Sequence, residues 1–331
     1  MGSVVRSLVT VHALDAGHLT LPEAAFVTPL DNPEARKTVP SLSFLIQHHD
    51  ALTGRTTRIV FDLGIRRNLQ DYALRIRDHA ATRKPIAGDP DTITSLALGG
   101  LVADDVDAVM FSHLHWDHVG TPSDYPRSAY VVGPGAARLV CGEAEAGKTA
   151  SGSHNHFERG MLDVARVIEL PPTDGQPGSE AWRGDVAMTE KTHHLAGSIL
   201  ARPWEPLGPF AATMDLFGDG GVRVVSSPGH LGGHINLLCR VGPDRCIYLA
   251  GDACHDRRIL AGDKDVATWV DEGGRVCCIH EDKEVALDTI RCIRKAMTGE
   301  TELGPVEVVL AHDGEWAERA RAEGRFFPGS M

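Results

Sequence analysis

Phe111-Ser-His113-Leu-His115-Trp-Asp117-His118-Val-Gly120 is the stretch from which the fold of this chain is read. Four metal-capable side chains fall within six residues. Upstream, Asp104-Asp-Val-Asp-Ala-Val-Met-Phe111 reads as an acidic loop running into a short buried strand, with Val109, Met110 and Phe111 as its apolar run. The histidines begin where that run stops, so the strand end holds them on a rigid element at the mouth of a sheet. Alternate residues of an extended segment point to the same side, which lets His113 and His115 share one metal. Asp117 and His118 come after the strand, at the turn into a helix. They point elsewhere and suit a second metal. Imidazole and carboxylate donors without a thiolate favour zinc, with iron, manganese and cobalt as alternatives.

Working outward, other strands end in the same kind of group. Val222-Arg-Val-Val-Ser226 runs to Pro228-Gly-His230, Cys246 to Ala250 runs to Gly251-Asp252, and Val306-Glu-Val-Val-Leu310 runs to His312-Asp313. Arg58-Ile-Val-Phe61 ends at Asp62. Donors gathered at strand ends from across a chain are what a dinuclear site at a sheet edge requires.

The remaining elements alternate between strand and helix. Leu8 to Leu14 reads as a first strand and Leu42 to Ile46 pairs with Arg58 to Phe61 as a hairpin. The stretch through Pro40, with Thr28-Pro-Leu-Asp-Asn-Pro33, reads as a long loop of the kind that carries function. Arg66 to His79 and Lys283 to Met297 carry apolar residues at helical spacing, and Thr92 starts another helix. Ala129 to Val132 reads as a strand. Residues 142–217 are rich in Gly, Ser, His and Pro, and read in part as an irregular, lid-like insertion over the site. Nothing forces a domain cut within 1–331.

The chain has 331 residues, 42% hydrophobic and 24% charged, which suffices for a large core. Its formal charge of −12 argues against nucleic acid and against anionic membranes as partners. Seven cysteines, odd in number and without a C-x-x-C pair, suit reduced thiols in a cytoplasmic protein. The first residues lack the apolar core of a signal peptide, and no apolar run has the length of a membrane span.

The order H-x-H-x-D-H, Pro-Gly-His, Gly-Asp and a late His-Asp resembles the metallo-β-lactamase superfamily. Within it, the resemblance is nearest to the N-acyl-homoserine-lactone lactonases and related lactone or lactam hydrolases. Leu14-Asp-Ala-Gly17, Val60-Phe-Asp62-Leu-Gly64 and Gly233-His234 stand in the same order. The resemblance implies an α/β fold, an αβ/βα four-layer sandwich. It implies a first metal held by His113, His115 and His230, a second held by Asp117, His118 and His312, and Asp252 bridging them with a hydroxide between. It thus implies two zinc ions per chain and a small-molecule substrate, and leaves the oligomeric state open, a homodimer included.

Many such lactonases carry a tyrosine three residues after the bridging Asp, where this chain has His255. An imidazole there is expected to assist at the oxyanion or leaving group, and Asp117 to steer the hydroxide. His234 is expected to pack or support rather than ligate, Asp62 to accept a ring proton from a ligand, and His48-His49 and His193-His194 to be surface or lid residues. The expected activity is the opening of a cyclic ester by the metal-bridging hydroxide. A lactam hydrolase or a thioesterase on the same site is the alternative. A nuclease is disfavoured by the acidic charge, and a non-catalytic binding module by the complete donor set.

Overall fold

Two runs of strands, each in chain order, build two six-stranded sheets in the computed structural model, which describes residues 8–141, 156–174, 202–271 and 273–331. The first sheet holds β1 (Val9–Leu14), β2 (Ser43–His49), β3 (Thr56–Phe61), β4 (Ala108–Met110), β5 (Ala129–Val132) and β6 (Val167–Glu169). The second holds β7 (Glu205–Leu207), β8 (Phe210–Asp215), β9 (Val222–Ser226), β10 (Ile235–Gly242), β11 (Arg245–Leu249) and β12 (Val306–Val309). β1 to β3 pair antiparallel and β3 to β6 parallel. In the second sheet the pairing is antiparallel until β12, which runs parallel to β11.

The two-residue period of the strands sorts the core into layers. Phe44, Ile46, Ile59, Phe61 and Met110 face inward against Val224, Leu237, Ile247 and Leu249 of the other sheet. The residues between them face out. Leu45, Val60, Val109 and Tyr130 pack on Leu96 and Leu139, while Leu238, Cys246 and Tyr248 pack on Ile259, Leu260, Ile290 and Ile293. These partners come from α2 (Thr92–Ala97), α4 (Ala137–Cys141), α5 (Arg257–Ala261) and α6 (Lys283–Met297); α1 (Leu74–Ala81), α3 (Trp116–Val119) and α7 (Gly314–Ala322) complete the set used below. The result is the expected αβ/βα sandwich. Among the described residues no helix is long and apolar enough to cross a membrane, and Cys239, Cys246, Cys254, Cys277, Cys278 and Cys292 are free thiols.

Several expectations are corrected. The long loop before Pro40 contains an antiparallel pair, His18–Pro22 with Arg36–Pro40. Leu19, Thr20 and Leu21 are all buried, and the alternation of His18-Leu-Thr-Leu is only four residues long between Gly17 and Pro22, too short to stand out from the Pro-rich surroundings. Thr20 turns its hydroxyl to that of Thr38 at 2.8 Å. The helix expected from Arg66 begins only at Leu74. Tertiary bonds claim the residues before it: the Tyr72 hydroxyl donates to the Trp116 carbonyl, and Arg66 to that of Gly120. His48 is buried against Phe217 and pairs with Asp219, so it is neither a surface nor a lid residue. Within 142–217, β6, β7 and β8 are sheet strands. Residues 142–155 and 175–201, with the His193-His194 pair and most of the expected lid, lie outside the described residues.

Candidate metal centre

The parallel arrangement of β3 with β4 and of β11 with β12 brings their ends to one edge of the sandwich. There the chain leaves regular geometry. Asp62, directly after β3, has φ 61°, and it is the non-glycine residue with positive φ among those described. Such a conformation persists where its surroundings hold it. The Asp62 carboxylate accepts from the Ser112 N–H and hydroxyl, both at 2.7 Å, and from His118 Nδ1 at 2.9 Å. One side chain thus ties the end of β3 to the end of β4 and to a ligand ring, as expected for it. Gly251, φ 47°, lets the second sheet approach, since a Cβ there would lie 2.8 Å from Ser112 Cβ.

All seven residues expected as ligands converge here, and all are buried. His113 Nε2 lies 2.9 Å from His115 Nδ1, which lies 3.0 Å from His230 Nε2. Asp252 Oδ2 faces this group, 3.7 Å from His113 Nε2 and 3.4 Å from His230 Nε2. Its other oxygen, Oδ1, faces His118 Nε2 at 3.3 Å and His312 Nε2 at 3.4 Å. Asp117 Oδ2 stands 3.7 Å from His312 Nε2. One carboxylate therefore turns its two oxygens to two different donor triads.

The ring nitrogens of His113, His230 and His312 that face away from the centre are also engaged. His113 Nδ1 meets the Ser112 hydroxyl at 3.0 Å, and His312 Nδ1 donates to the Pro40 carbonyl at 2.8 Å. His230 Nδ1 meets His280 Nδ1 at 3.3 Å. Such partners fix the ring and leave the opposite nitrogen for a metal. His234 is not in either triad; it accepts the Asp252 N–H at 3.2 Å, and burial pushes its pKa down to about 3. This matches its expected supporting place.

Charge differs across the centre. Burial holds His113 and His230 well below the ordinary histidine pKa, so their rings are neutral, which is the ligating form. Burial opposes charge on His118 and His312 as well, but Asp252 outweighs it and raises both, with Asp62 helping at His118 and Asp117 at His312. Burial would raise Asp252, yet His118, His255 and His312 hold it well below the usual carboxylate range. A bound cation fits this arrangement. His118 Nε2 and Asp252 Oδ1 are buried atoms without a hydrogen bond, and a cation between them satisfies both.

His255 joins the group from beside Asp252. Its Nε2 donates to Asp252 Oδ2 at 3.1 Å, and its buried Nδ1 has no hydrogen bond. His280, which the sequence reading passed over, completes a triangle of rings with His230 and His255, with centroids 5.0 to 5.3 Å apart. A lone histidine after Cys277-Cys278-Ile279 carries no local signal for this. The centre opens into a cleft of about 40 Å³ walled by Leu19, Leu21, Phe26, Trp116 and Ile279. A larger cavity of about 290 Å³ adjoins it and shares Leu21, Phe26, His255 and His312.

No family model matches the chain. The Gamma-lactamase FDB1 of Fusarium pseudograminearum is 27% identical over 259 residues, covering 76% of this chain and 54% of that protein. The Cytochrome P450 monooxygenase mpaDE' of Penicillium brevicompactum is 27% identical over 330 residues, covering 93% of this chain and 34% of that protein. The chain thus spans about a third to a half of the length of these curated relatives. A solved N-acyl homoserine lactone hydrolase, with the product N-hexanoyl-L-homoserine bound at its catalytic metal centre, is 16% identical with a TM-score of 0.58, covering 98% of this chain and 100% of that one. Fold and donor set together define the class. The chain has the metallo-β-lactamase fold, and its buried His and Asp residues form a donor set suited to a metal-dependent hydrolase. Within that class its fold is lactonase-like.

Proposed function

We propose that the chain is a dinuclear hydrolase that opens a cyclic ester. The observation that carries this reading is the division of the donors by Asp252. Oδ2 faces His113, His115 and His230, and Oδ1 faces His118 and His312, with Asp117 beside them. These seven residues would hold two divalent ions, zinc being the one their donor chemistry favours. When bound, such ions supply Lewis acidity at a carbonyl and a nucleophilic water at neutral pH.

The chain's own residues do the rest. Asp117, at the cleft, takes a proton from the attacking water and returns it to the ring oxygen as the acyl–oxygen bond breaks. The water oxygen ends in the new carboxylate. His255 donates its Nε2 proton to Asp252 and so orients the bridging carboxylate. In the tautomer with that single proton, Nδ1 is an acceptor for a substrate hydroxyl or water. The apolar wall of Leu19, Leu21, Phe26 and Trp116 limits water around the reacting carbonyl.

A second reading, opening of a cyclic amide, is favoured by the relatives that are named gamma-lactamases. Elemental analysis of protein purified without chelator, combined with a panel of γ-lactones, N-acyl homoserine lactones and γ-lactams, tests both. About two metal equivalents and faster opening of lactones are expected. Preference for lactams would select the second reading. Protein without transition metal that stays inert after zinc addition would sink both.

A further inference from the structure

We propose that Arg83 is the anion-binding residue of the cleft and takes a carboxylate, either one carried by the substrate or the one that ring opening creates; this rests on the hydrolase reading above. Arg83 follows α1 and lines the cleft with Asp117, Trp116 and His230. It is half-buried. Its backbone is fixed, the N–H to the Ala80 carbonyl and the carbonyl to the Thr20 N–H, each within 2.9 Å. Its guanidinium, in contrast, has no hydrogen bond and no ion pair among the described residues.

The chain as a whole carries 45 Asp and Glu against 33 Lys and Arg. Neighbouring arginines have carboxylates: Arg66 pairs with Glu158 at 3.3 Å, and Arg67 with Asp91 and Asp124. Arg36, close enough to act on Arg83, spends its donors on the carbonyls of Thr20 and Thr82 and brings no negative charge. Burial and Arg36 both disfavour the Arg83 charge, with Asp117 as the offset. His79, also in the cleft, is pushed down to about 3 by burial and is neutral. Among the described residues, therefore, a positive charge stands at the cleft with no carboxylate in ion-pair contact. The guanidinium fork matches a carboxylate in two parallel hydrogen bonds. Leu19 and Leu21 supply an apolar surface for the rest of the ligand.

The test uses metal-loaded protein and two variants, R83M and R83K. The substrates are a γ-lactone bearing a ring carboxylate and its neutral carboxamide. Calorimetric titration with benzoate reads anion binding independently of turnover. In R83M the ratio of kcat/KM for the acid over the amide is expected to fall roughly ten- to hundredfold, and the benzoate Kd to rise by a similar factor. R83K should recover part of each, since an ammonium keeps the charge without the fork. If the ratio holds but inhibition by the ring-opened acid weakens in R83M, the bound carboxylate is the product's. If no ring is opened while benzoate binding still depends on Arg83, the hydrolase reading fails and the anion site stands. Should R83M not fold, R83Q and R83K carry the same comparison. Unchanged selectivity, product inhibition and benzoate Kd, with metal content and melting temperature intact, would overturn the proposal.

Discussion

The two sides of the centre are built from different materials. On one side, His113 and His115 leave the end of β4 two residues apart and meet His230 from the loop after β9. Three imidazoles gather there around Asp252 Oδ2, and His113 and His230 are kept neutral by burial. On the other side, Asp117 and His118 belong to the short helix α3 and meet His312 after β12. That side carries a carboxylate of its own, and its histidines have raised pKa values because Asp252 and a second carboxylate face each of them. The supports differ as well: His118 leans on the Asp62 carboxylate, and His230 on the His280 ring. The difference teaches that one carboxylate can face two differently built donor groups at once, with His113 and His230 lowered by burial on one side and His118 and His312 raised by carboxylates on the other.

Removing the bridge should erase the comparison altogether. Asp252→Ala is expected to lower metal content on both sides and turnover by orders of magnitude, read by elemental analysis and initial rates. A variant that keeps normal metal and rate would show that the two triads are independent of it. Removing one support should instead unbalance the sides. Asp62→Ala should weaken metal affinity on the His118 side, and His280→Ala on the His230 side, each by about 10–100-fold. Competition with a coloured chelator, using cobalt to report each environment, separates them. Equal effects of both changes on both ions would remove the distinction drawn here.

The smallest expected effect is an order of release with pH. His118 and His312, with raised pKa values, take up protons at higher pH than His113 and His230, whose values are depressed. A proton on a ligating nitrogen excludes the metal. As pH falls from neutrality, the ion beside Asp117 should therefore leave before the ion beside His115. Stepwise dialysis of cobalt-loaded protein, followed by its absorption spectrum, checks this. Loss of both ions together, or the reverse order, would contradict it.

Much of this was legible in the chain alone. Val109-Met110-Phe111 followed by His113 and His115 is a strand end with two donors on one side, because the two-residue period belongs to the extended backbone itself. The apolar runs Phe44-Leu45-Ile46 and Cys246 to Leu249 mark strands in the same way, while the four layers were implied by the family resemblance and are seen in how both faces of these strands are packed. These are short-range regularities, written within a few residues. Other features were decided only by the tertiary structure. His280 lies fifty positions from the ring it supports, and Asp62 fifty-six from His118. The strand His18–Pro22 exists through its pairing with Arg36–Pro40, where Thr20 meets Thr38. Arg83 differs from its neighbours only in which carboxylates come within reach. Each of these depends on how distant segments pack, and the local pattern of a chain carries no record of which buried polar group a distant one will meet.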